Sequence, residues 1–285
     1  MNKVIVIPNA TKDCDLSVTA AVTRQLSALG MVAYVSDVYA RSLSCDAVFY
    51  ADIPGEADLI VVVGGDGSII DASATALSLG IPILGVNLGR VGYLSEIEPQ
   101  KLSQLSALVS GEYTIEERML LTCRKFNASG EEVLSSHPAV NDIVVSHNEY
   151  LGIGELCVSN SHGDSVKYRA DGVIASTPTG STAYSLSAGG PIIAHDLQAI
   201  TVTPVCPHSF FNRAIVFGAD EIITVTNEGS QMLKVSVDGR FFADLDCGEC
   251  VTVKKYTESL KVVTFKHSNM FSTISSKIKT LDGAL

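Results

Sequence analysis

A glycine-rich turn that contains one carboxylate carries the strongest chemical signal in the sequence. The apolar, β-branched run 58–63 ends at residues 64–68 (GGDGS), and small and apolar residues then recur at helical spacing. This order predicts a buried strand, a tight turn and a helix. At the glycines of the turn, just before the helix N-terminus, the main chain can approach a phosphate closely. Phosphate would repel Asp66 unless the carboxylate takes up a proton or binds a metal, so the turn indicates phosphoryl transfer. A plain turn with Asp66 as a helix cap is the alternative.

A second concentration of polar groups lies in residues 169–191. A predicted strand runs into a turn rich in Pro, Gly, Ser and Thr, followed by a short helix near 181–188. Its hydroxyl and N–H groups suit a ligand that carries ribose hydroxyls, phosphates or an amide. Arg169 and Asp171 stand two residues apart on a predicted strand, so they should face the same side. They could bracket a polar ligand or form a surface ion pair of little energetic value.

Polar residues also interrupt two β patterns further along the chain. Asn141 and Asp142 fall inside the apolar run 139–145, where polar side chains must be satisfied or functional. A carboxylate there can accept two ribose hydroxyls, and a capped strand end is the alternative. The pair Asp238-Gly239 is a hairpin signal, and Arg240 after it could reach a phosphate.

Composition limits the classes of protein to consider. The 285 residues are 46% hydrophobic and 18% charged, enough for one large domain or two ordinary ones. The net charge of −11 argues against general binding to nucleic acid or anionic membranes. The first apolar run is too short for a signal peptide, and none approaches the ~20 residues of a membrane span. We therefore expect a cytoplasmic protein.

The seven cysteines are scattered, which does not predict a disulfide framework. Cys247 and Cys250 form a lone CxxC pair without a second pair or a nearby histidine. We interpret them as residues that flank a turn, with zinc binding or redox chemistry as the alternative.

The order of predicted elements indicates how these residues are positioned. Up to about residue 113, strands alternate with helices, which predicts an α/β domain with a parallel, Rossmann-like sheet. A second glycine loop, 87–93, follows a strand and should lie with the GGDGS turn at the carboxyl edge of that sheet. Later runs have period-two patterns, which predict a mainly antiparallel β domain. We expect domains 1–113 and 114–269, with a C-terminal helix 270–285 that joins the first domain.

With these motifs in order, the chain resembles the NAD kinases of the bacterial ATP-dependent type. The resemblance covers most of the chain, and its most specific part is 171–191. The matching stretches are 64–68, 87–93, Asn141-Asp142, 171–191 and 207–209. The GGDGS turn alone is less specific, because diacylglycerol-type lipid kinases and phosphofructokinases resemble it there.

The resemblance implies that ATP phosphorylates the 2′-hydroxyl of the adenosine ribose of NAD to give NADP, with Asp66 accepting the proton. Mg²⁺ would accompany ATP, whose phosphates would bind at Gly64, Gly65, Gly67 and Ser68. The residues implied for NAD binding are Asp66, Gly67, Asn141, Asp142, Arg169, Asp171, Thr182, Ala183, Tyr184, Ser185, Leu186, Ser187 and Arg240. A homo-oligomer, dimer or tetramer, is also implied.

Three residues depart from the family pattern. Asp142 stands where the family commonly has glutamate, Ser68 where threonine is frequent, and Arg240 where some relatives carry glutamine. Two other functions stay open on the sequence. One is a lipid or sugar kinase that shares the GGDGS turn, and the other is a non-catalytic NAD(H)-binding sensor, which would not need Asp66.

Overall fold

The computed structural model describes residues 1–43, 45, 47–89, 92–147, 152–208 and 211–265. They form two compact units, each with its own apolar core. The first unit combines residues 1–117 with the chain from Leu260, and the second is Arg118–Ser259. No helix in the described ranges combines the length and apolarity needed to cross a bilayer.

The strands are numbered here in chain order. They are β1 (Lys3–Pro8), β2 (Val32–Ser36), β3 (Val48–Tyr50), β4 (Leu59–Gly64), β5 (Ile83–Asn87), β6 (Ser95–Ile97), β7 (Thr114–Arg118), β8 (Leu121–Phe126), β9 (Glu132–Ser135), β10 (Asp142–His147), β11 (Gly154–Ser159), β12 (Ser165–Ala170), β13 (Gly172–Ser176), β14 (Ala199–Val205), β15 (Ile215–Gly218), β16 (Ile223–Asn227), β17 (Leu233–Val237), β18 (Arg240–Leu245), β19 (Cys250–Lys255) and β20 (Leu260–Thr264).

The α-helices are α1 (Ser17–Ala28), α2 (Asp66–Leu79), α3 (Ala107–Ser110) and α4 (Tyr184–Ser187). Short 3-10 segments span Asp37–Tyr39, Pro99–Ser106 and Gly180–Thr182. Residues 99–110 are therefore mostly 3-10, with a non-helical backbone at Lys101, before one α-helical turn.

An eight-stranded sheet organises the first unit. Its order is β3-β2-β1-β4-β5-β20-β7, with β6 beside β5, and β1 to β6 pair in parallel. Every residue of β4 is buried, because the central strand of a parallel sheet is covered on both faces. The predicted parallel α/β architecture is confirmed.

Two strands lie in a different sheet from the one that the expected domain range implies. Both β7 and β20 fall within 114–269, the range expected for the β-rich domain, but they belong to the first sheet, where β7 is the edge strand. Strand β20 pairs in parallel with β5 through Val262 and Ile83. Local periodicity identifies a strand and not its partner, so this pairing over a long sequence distance was not visible. The predicted helix 270–285 lies outside the described residues.

The second unit consists of two six-stranded antiparallel sheets. Their orders are β15-β14-β13-β10-β17-β18 and β12-β11-β16-β19-β8-β9. Buried and partly exposed residues alternate strictly in β16 and β17, and apolar side chains from both sheets form one core. The predicted antiparallel β domain is confirmed. Asp171 is the single residue between β12 and β13, so the chain passes from one sheet to the other there.

We predict that Gly85→Ala lowers the free energy of unfolding by about 1–3 kcal/mol through overpacking. A Cβ on Gly85, in the middle of β5, would lie 2.5 Å from Ile69 Cδ1 and 2.8 Å from Ser95 Cα. Urea unfolding monitored by circular dichroism measures the change. Gly55→Ala is the control, because nothing lies within 4 Å of a Cβ there. Equal unfolding midpoints for both variants would contradict this account of β5.

Candidate functional site

The glycine turn joins β4 to α2 as the sequence predicted. Gly64 ends the strand, Gly65 is extended (φ −115°, ψ −172°), and Asp66 is the first residue of the helix. A side chain on Gly64 would collide with the side chain of Ser68, so the turn closes this tightly only with glycine there. The Leu88 N–H donates to the Gly64 carbonyl at 2.7 Å and ties the second glycine loop to the first.

The second loop holds the carboxylate of Asp66. The N–H groups of Tyr93 and Leu94 donate to it at 2.7 and 3.3 Å, and the Ser95 hydroxyl lies at 3.4 Å. A Cβ on Gly92 would overlap the Asp66 carboxylate. The two loops therefore meet at one edge of the sheet, as expected from the strands that precede them.

These contacts also affect the phenol in the second loop. Burial raises the pKa of Tyr93, and the negative charge of Asp66 raises it further. Arg90 and Val91, in the same predicted loop, lie outside the described residues.

The loop after β1 contributes a third segment to this edge, which the sequence analysis missed. The Asn9 side chain donates to Ser68 Oγ at 2.7 Å, and its oxygen accepts the Thr11 N–H at 3.1 Å and the Lys12 N–H at 3.2 Å. Because β1 is parallel to β4, its carboxyl end had to lie beside the GGDGS turn. That topology was the available signal.

This loop places an ammonium group over both glycine loops. Lys12 Nζ lies 2.6 Å from the position of a Cβ on Gly65 and 3.5 Å from that on Gly89. Lys12 is exposed, and it forms no ion pair with the described carboxylates. A positive charge therefore stands where the turn presents its main chain.

In the second unit, Asn141 and Asp142 lie at the start of β10. The Thr177 N–H donates to the Asn141 carbonyl at 2.9 Å, and the Thr177 hydroxyl donates to the Val140 carbonyl at 2.6 Å. A Cβ on Gly180 would collide with the Asn141 carbonyl. The segment after β13 thus packs directly on the main chain of residues 140–142.

Asp238 holds residues 140–142 from another side, a role that the sequence analysis did not foresee. Its carboxylate accepts the N–H groups of Val140 at 2.8 Å, Asn141 at 2.7 Å and Asp142 at 3.1 Å. The Asp238 N–H donates back to the Asp142 carbonyl at 2.9 Å. Because Asp238-Gly239 is a preferred sequence for a hairpin turn, the turn alone explained the aspartate. Nothing in the sequence indicated that its carboxylate binds a distant segment. Burial raises the pKa of Asp142 to about 7, with a further contribution from the charge of Asp238.

The predicted binding stretch 182–187 divides into supporting and exposed side chains. Ser185 is buried and its hydroxyl lies 2.9 Å from that of Thr203, while the Thr182 hydroxyl donates to the Thr179 carbonyl at 3.1 Å. Ala183 is half-buried and links the 3-10 turn to α4. The exposed side chains, which a ligand can reach, are those of Tyr184, Leu186 and Ser187.

Arg169 and Asp171 do not form the surface ion pair that was one of the two alternatives; each contacts another residue. Arg169 lies on β12 and its Nε is 3.7 Å from Glu155 Oε1, whereas Asp171 Oδ1 is 3.5 Å from His147 Nε2. The expectation that both face one side of a single strand was wrong, because the chain changes sheets at Asp171. The negative charge of Asp171 also raises the pKa of the Cys206 thiol.

The predicted residues of the second unit gather at two ends of the β10–β13 pair. Asp142 pairs with Ser176 at one end, where the 177–187 segment and the hairpin that carries exposed Arg240 also lie. Asp171 precedes Gly172, which pairs with Ser146 at the other end. Five residues of antiparallel strand correspond to about 17 Å.

No group of three or more His, Cys, Asp or Glu side chains in the described ranges is arranged to bind a metal. Cys247 precedes a glycine with φ +80° and Cys250 begins β19, the turn arrangement that we expected. All seven cysteines are free thiols.

Comparison with protein families gives two matches that together cover most of the chain. Residues 4–113 match the ATP-NAD kinase N-terminal domain, and residues 134–265 match the ATP-NAD kinase C-terminal domain. The chain is 36% identical to the NAD kinase of Thermoanaerobacter sp. (strain X514), over 98% of this chain and 99% of that protein. It is 38% identical to the NAD kinase of Geobacter sulfurreducens, over 89% and 90% of the two chains.

Two solved structures share the fold. The crystal structure of an NAD kinase from Archaeoglobus fulgidus in complex with ATP has a TM-score of 0.71 and 25% identity, covering 96% of this chain and 99% of that one. Yeast NADH kinase complexed with NADH has a TM-score of 0.82 and 24% identity, covering 96% and 86%. From these matches, the chain belongs to the NAD kinase family of phosphotransferases with an alcohol acceptor.

Proposed function

We propose that this protein transfers the γ-phosphoryl group of ATP to the 2′-hydroxyl of the adenosine ribose of NAD, forming NADP and ADP. The observation that carries the proposal is the carboxylate of Asp66, the first residue of α2, which two main-chain N–H groups hold in place. It stands in a chain whose relatives over nearly its full length are NAD kinases. Membership of this family disfavours the lipid-kinase and sugar-kinase alternatives.

In the proposed reaction the ribose 2′-oxygen attacks the γ-phosphorus, and the bond between that phosphorus and the β–γ bridging oxygen breaks. The proton of the hydroxyl passes to the Asp66 carboxylate, and ADP leaves with the bridging oxygen. Positioning and neutralisation of charge supply most of the rate in such transfers, with an aspartate that accepts the hydroxyl proton. The donors from Tyr93 and Leu94 fix the carboxylate in one orientation for this task.

The donor phosphates would bind along Gly64, Gly65, Gly67 and Ser68, at the N-terminus of α2, whose dipole favours anions. We include Lys12 in this group, because its ammonium stands over Gly65 and has no carboxylate partner among the residues that the structure describes. Magnesium would arrive as part of the ATP substrate, bound mainly by the phosphates as is usual for this ion.

NAD would contact both groups of residues in the second unit. Asn141 and Asp142 would bind the adenosine side, with Asp142 accepting ribose hydroxyls. Asp171 would bind another part of the molecule at the other end of β10 and β13, and Arg169, near the end of β12, would be a further contact. A separation of about 17 Å suits a ligand made of two nucleotides. The exposed residues Tyr184, Leu186 and Ser187 would line the first of these ends, together with Arg240.

We predict that Asp66→Asn lowers kcat by about 10²–10⁴-fold, the range for loss of a general base, and leaves the Kd for NAD within threefold. NADP-specific dehydrogenase coupled to the reaction measures kcat, and calorimetry measures binding. Asp37→Asn, at an exposed 3-10 turn in the same unit, is the control and should keep full activity. Full activity of Asp66→Asn would refute the base role. Wild-type protein that binds NAD and forms no NADP would favour the sensor.

Lys12→Met is expected to raise the KM for ATP about tenfold or more, since a hydrogen bond to a charged group contributes roughly 1.5–3 kcal/mol. The KM for NAD should stay within twofold. Lys101→Met is the matched control, because its ammonium is exposed and pairs with Glu98. If Lys12→Met and Lys101→Met have the same KM for ATP, Lys12 does not contact the donor.

Gly92→Ala tests how Asp66 is positioned. The added methyl group would take the place of the carboxylate and push it out of its site, so kcat should fall at least tenfold although Asp66 is intact. The same coupled assay applies, with Gly55→Ala as the control for a glycine in open space. An unchanged kcat would show that the observed carboxylate position is not the reactive one.

A further inference from the structure

We propose that Asp238 is a positioning residue for NAD, whose carboxylate fixes the main chain of residues 140–142 so that Asn141 and Asp142 face the ligand. The inference rests on the proposed function, because it assigns NAD as the ligand of these two side chains. Asp238 is not itself proposed to touch NAD or to take part in the phosphoryl transfer.

The geometry is that of an anion bound by successive main-chain donors. Three consecutive N–H groups, from Val140 to Asp142, point at one carboxylate at 2.7–3.1 Å. A fourth bond returns from the Asp238 N–H to the Asp142 carbonyl at 2.9 Å. Bonds to an ionised acceptor are about twice as strong as neutral ones, so this side chain can determine the conformation of the segment.

The backbone of the hairpin does not by itself require the Asp238 carboxylate. Asp238 has φ +49° and Gly239 has φ +76°, the two left-handed residues of a two-residue hairpin loop. Glycine would adopt the first position with less strain than aspartate. The carboxylate is therefore an additional feature, and its three bonds cross to a segment far away in sequence.

The segment is held on a second side by Thr177 and Gly180, as described above. The main chain of residues 140–142 is thus fixed on two sides. The side chains of Asn141 and Asp142 are therefore held in one arrangement. Asp238 also affects the charge of Asp142: burial and the neighbouring carboxylate together place the Asp142 pKa at about 7. Its cross-strand neighbour on β13, Ser176, is neutral.

The direction of the pH dependence follows from this pKa. Asp142 becomes ionised as the pH rises through about 7, and the ionised form accepts ribose hydroxyls. The affinity of the wild-type protein for NAD should therefore rise between pH 6 and pH 8. Removal of the Asp238 charge lowers the Asp142 pKa, so the midpoint of this profile should move to lower pH.

The experiment measures NAD binding by calorimetry in wild-type protein, Asp238→Asn and Asp164→Asn. Asparagine keeps one oxygen acceptor and removes the charge, and Asp164 is an exposed hairpin residue bonded to Asn160. We expect Asp238→Asn to weaken NAD binding at least tenfold at pH 8, to shift the pH midpoint downward and to leave ATP binding within twofold. Asp164→Asn should match the wild type.

NAD affinity within twofold of the wild type, equal losses for NAD and ATP, or an unchanged pH midpoint would each overturn the proposal.

If Asp238→Asn does not fold, hydrogen exchange on the wild-type protein replaces it. The amides of residues 140–142 should exchange at least a hundredfold more slowly than those of the exposed turn 128–130. Equally fast exchange would overturn the proposal. Binding is measured without turnover, so failure to form NADP would contradict the proposed function and leave this test intact.

Discussion

Carboxylates that accept main-chain N–H groups hold the important loops of both units in place. Asp66 fixes the second glycine loop, and Asp238 fixes the start of β10. The same arrangement recurs away from the site, where Asp13 accepts N–H groups at the start of α1 and Asp58 accepts those of Asn2 and Lys3. Buried N–H groups outside regular ladders need acceptors, and a carboxylate has room for several. The loops are thus ordered by charge at points where the sheet provides no partner.

Glycines make these bonds possible by allowing close approach of the partner. Gly92 leaves room for the Asp66 carboxylate, and Gly180 leaves room for the Asn141 carbonyl. In both places, a larger residue would collide with a residue to which the proposed reaction assigns a role, Asp66 or Asn141. Each segment therefore depends on two residues. Asp66 and Asp238 supply the hydrogen-bond acceptors, and Gly92 and Gly180 supply the space.

The sequence was sufficient for the fold class, the GGDGS strand–turn–helix and the family resemblance, because these depend on local periodicity and short motifs. It was insufficient for Asn9, Lys12 and Asp238, whose roles arise from contacts between distant segments. Asp238 lies 98 residues from Val140, and a hairpin signal already explained its presence. The pairing of β20 with β5 was missed for the same reason. The division of 182–187 into buried and exposed side chains depends on the turn geometry, which composition does not reveal.

The position of β20 has a consequence for the nascent chain. Strand β20 occupies one edge of β5, and the whole second unit is inserted between β7 and β20. Strand β6 already pairs with Gly85 and Val86, but Ile83, the partner of Val262, has no partner on this edge while the ribosome synthesises that insertion, and an open strand edge invites pairing with other chains. The unit that emerges first is therefore the last to be completed. A truncation that removes residues 260–264 would take β20 out of the sheet that carries the amino-terminal glycine turn.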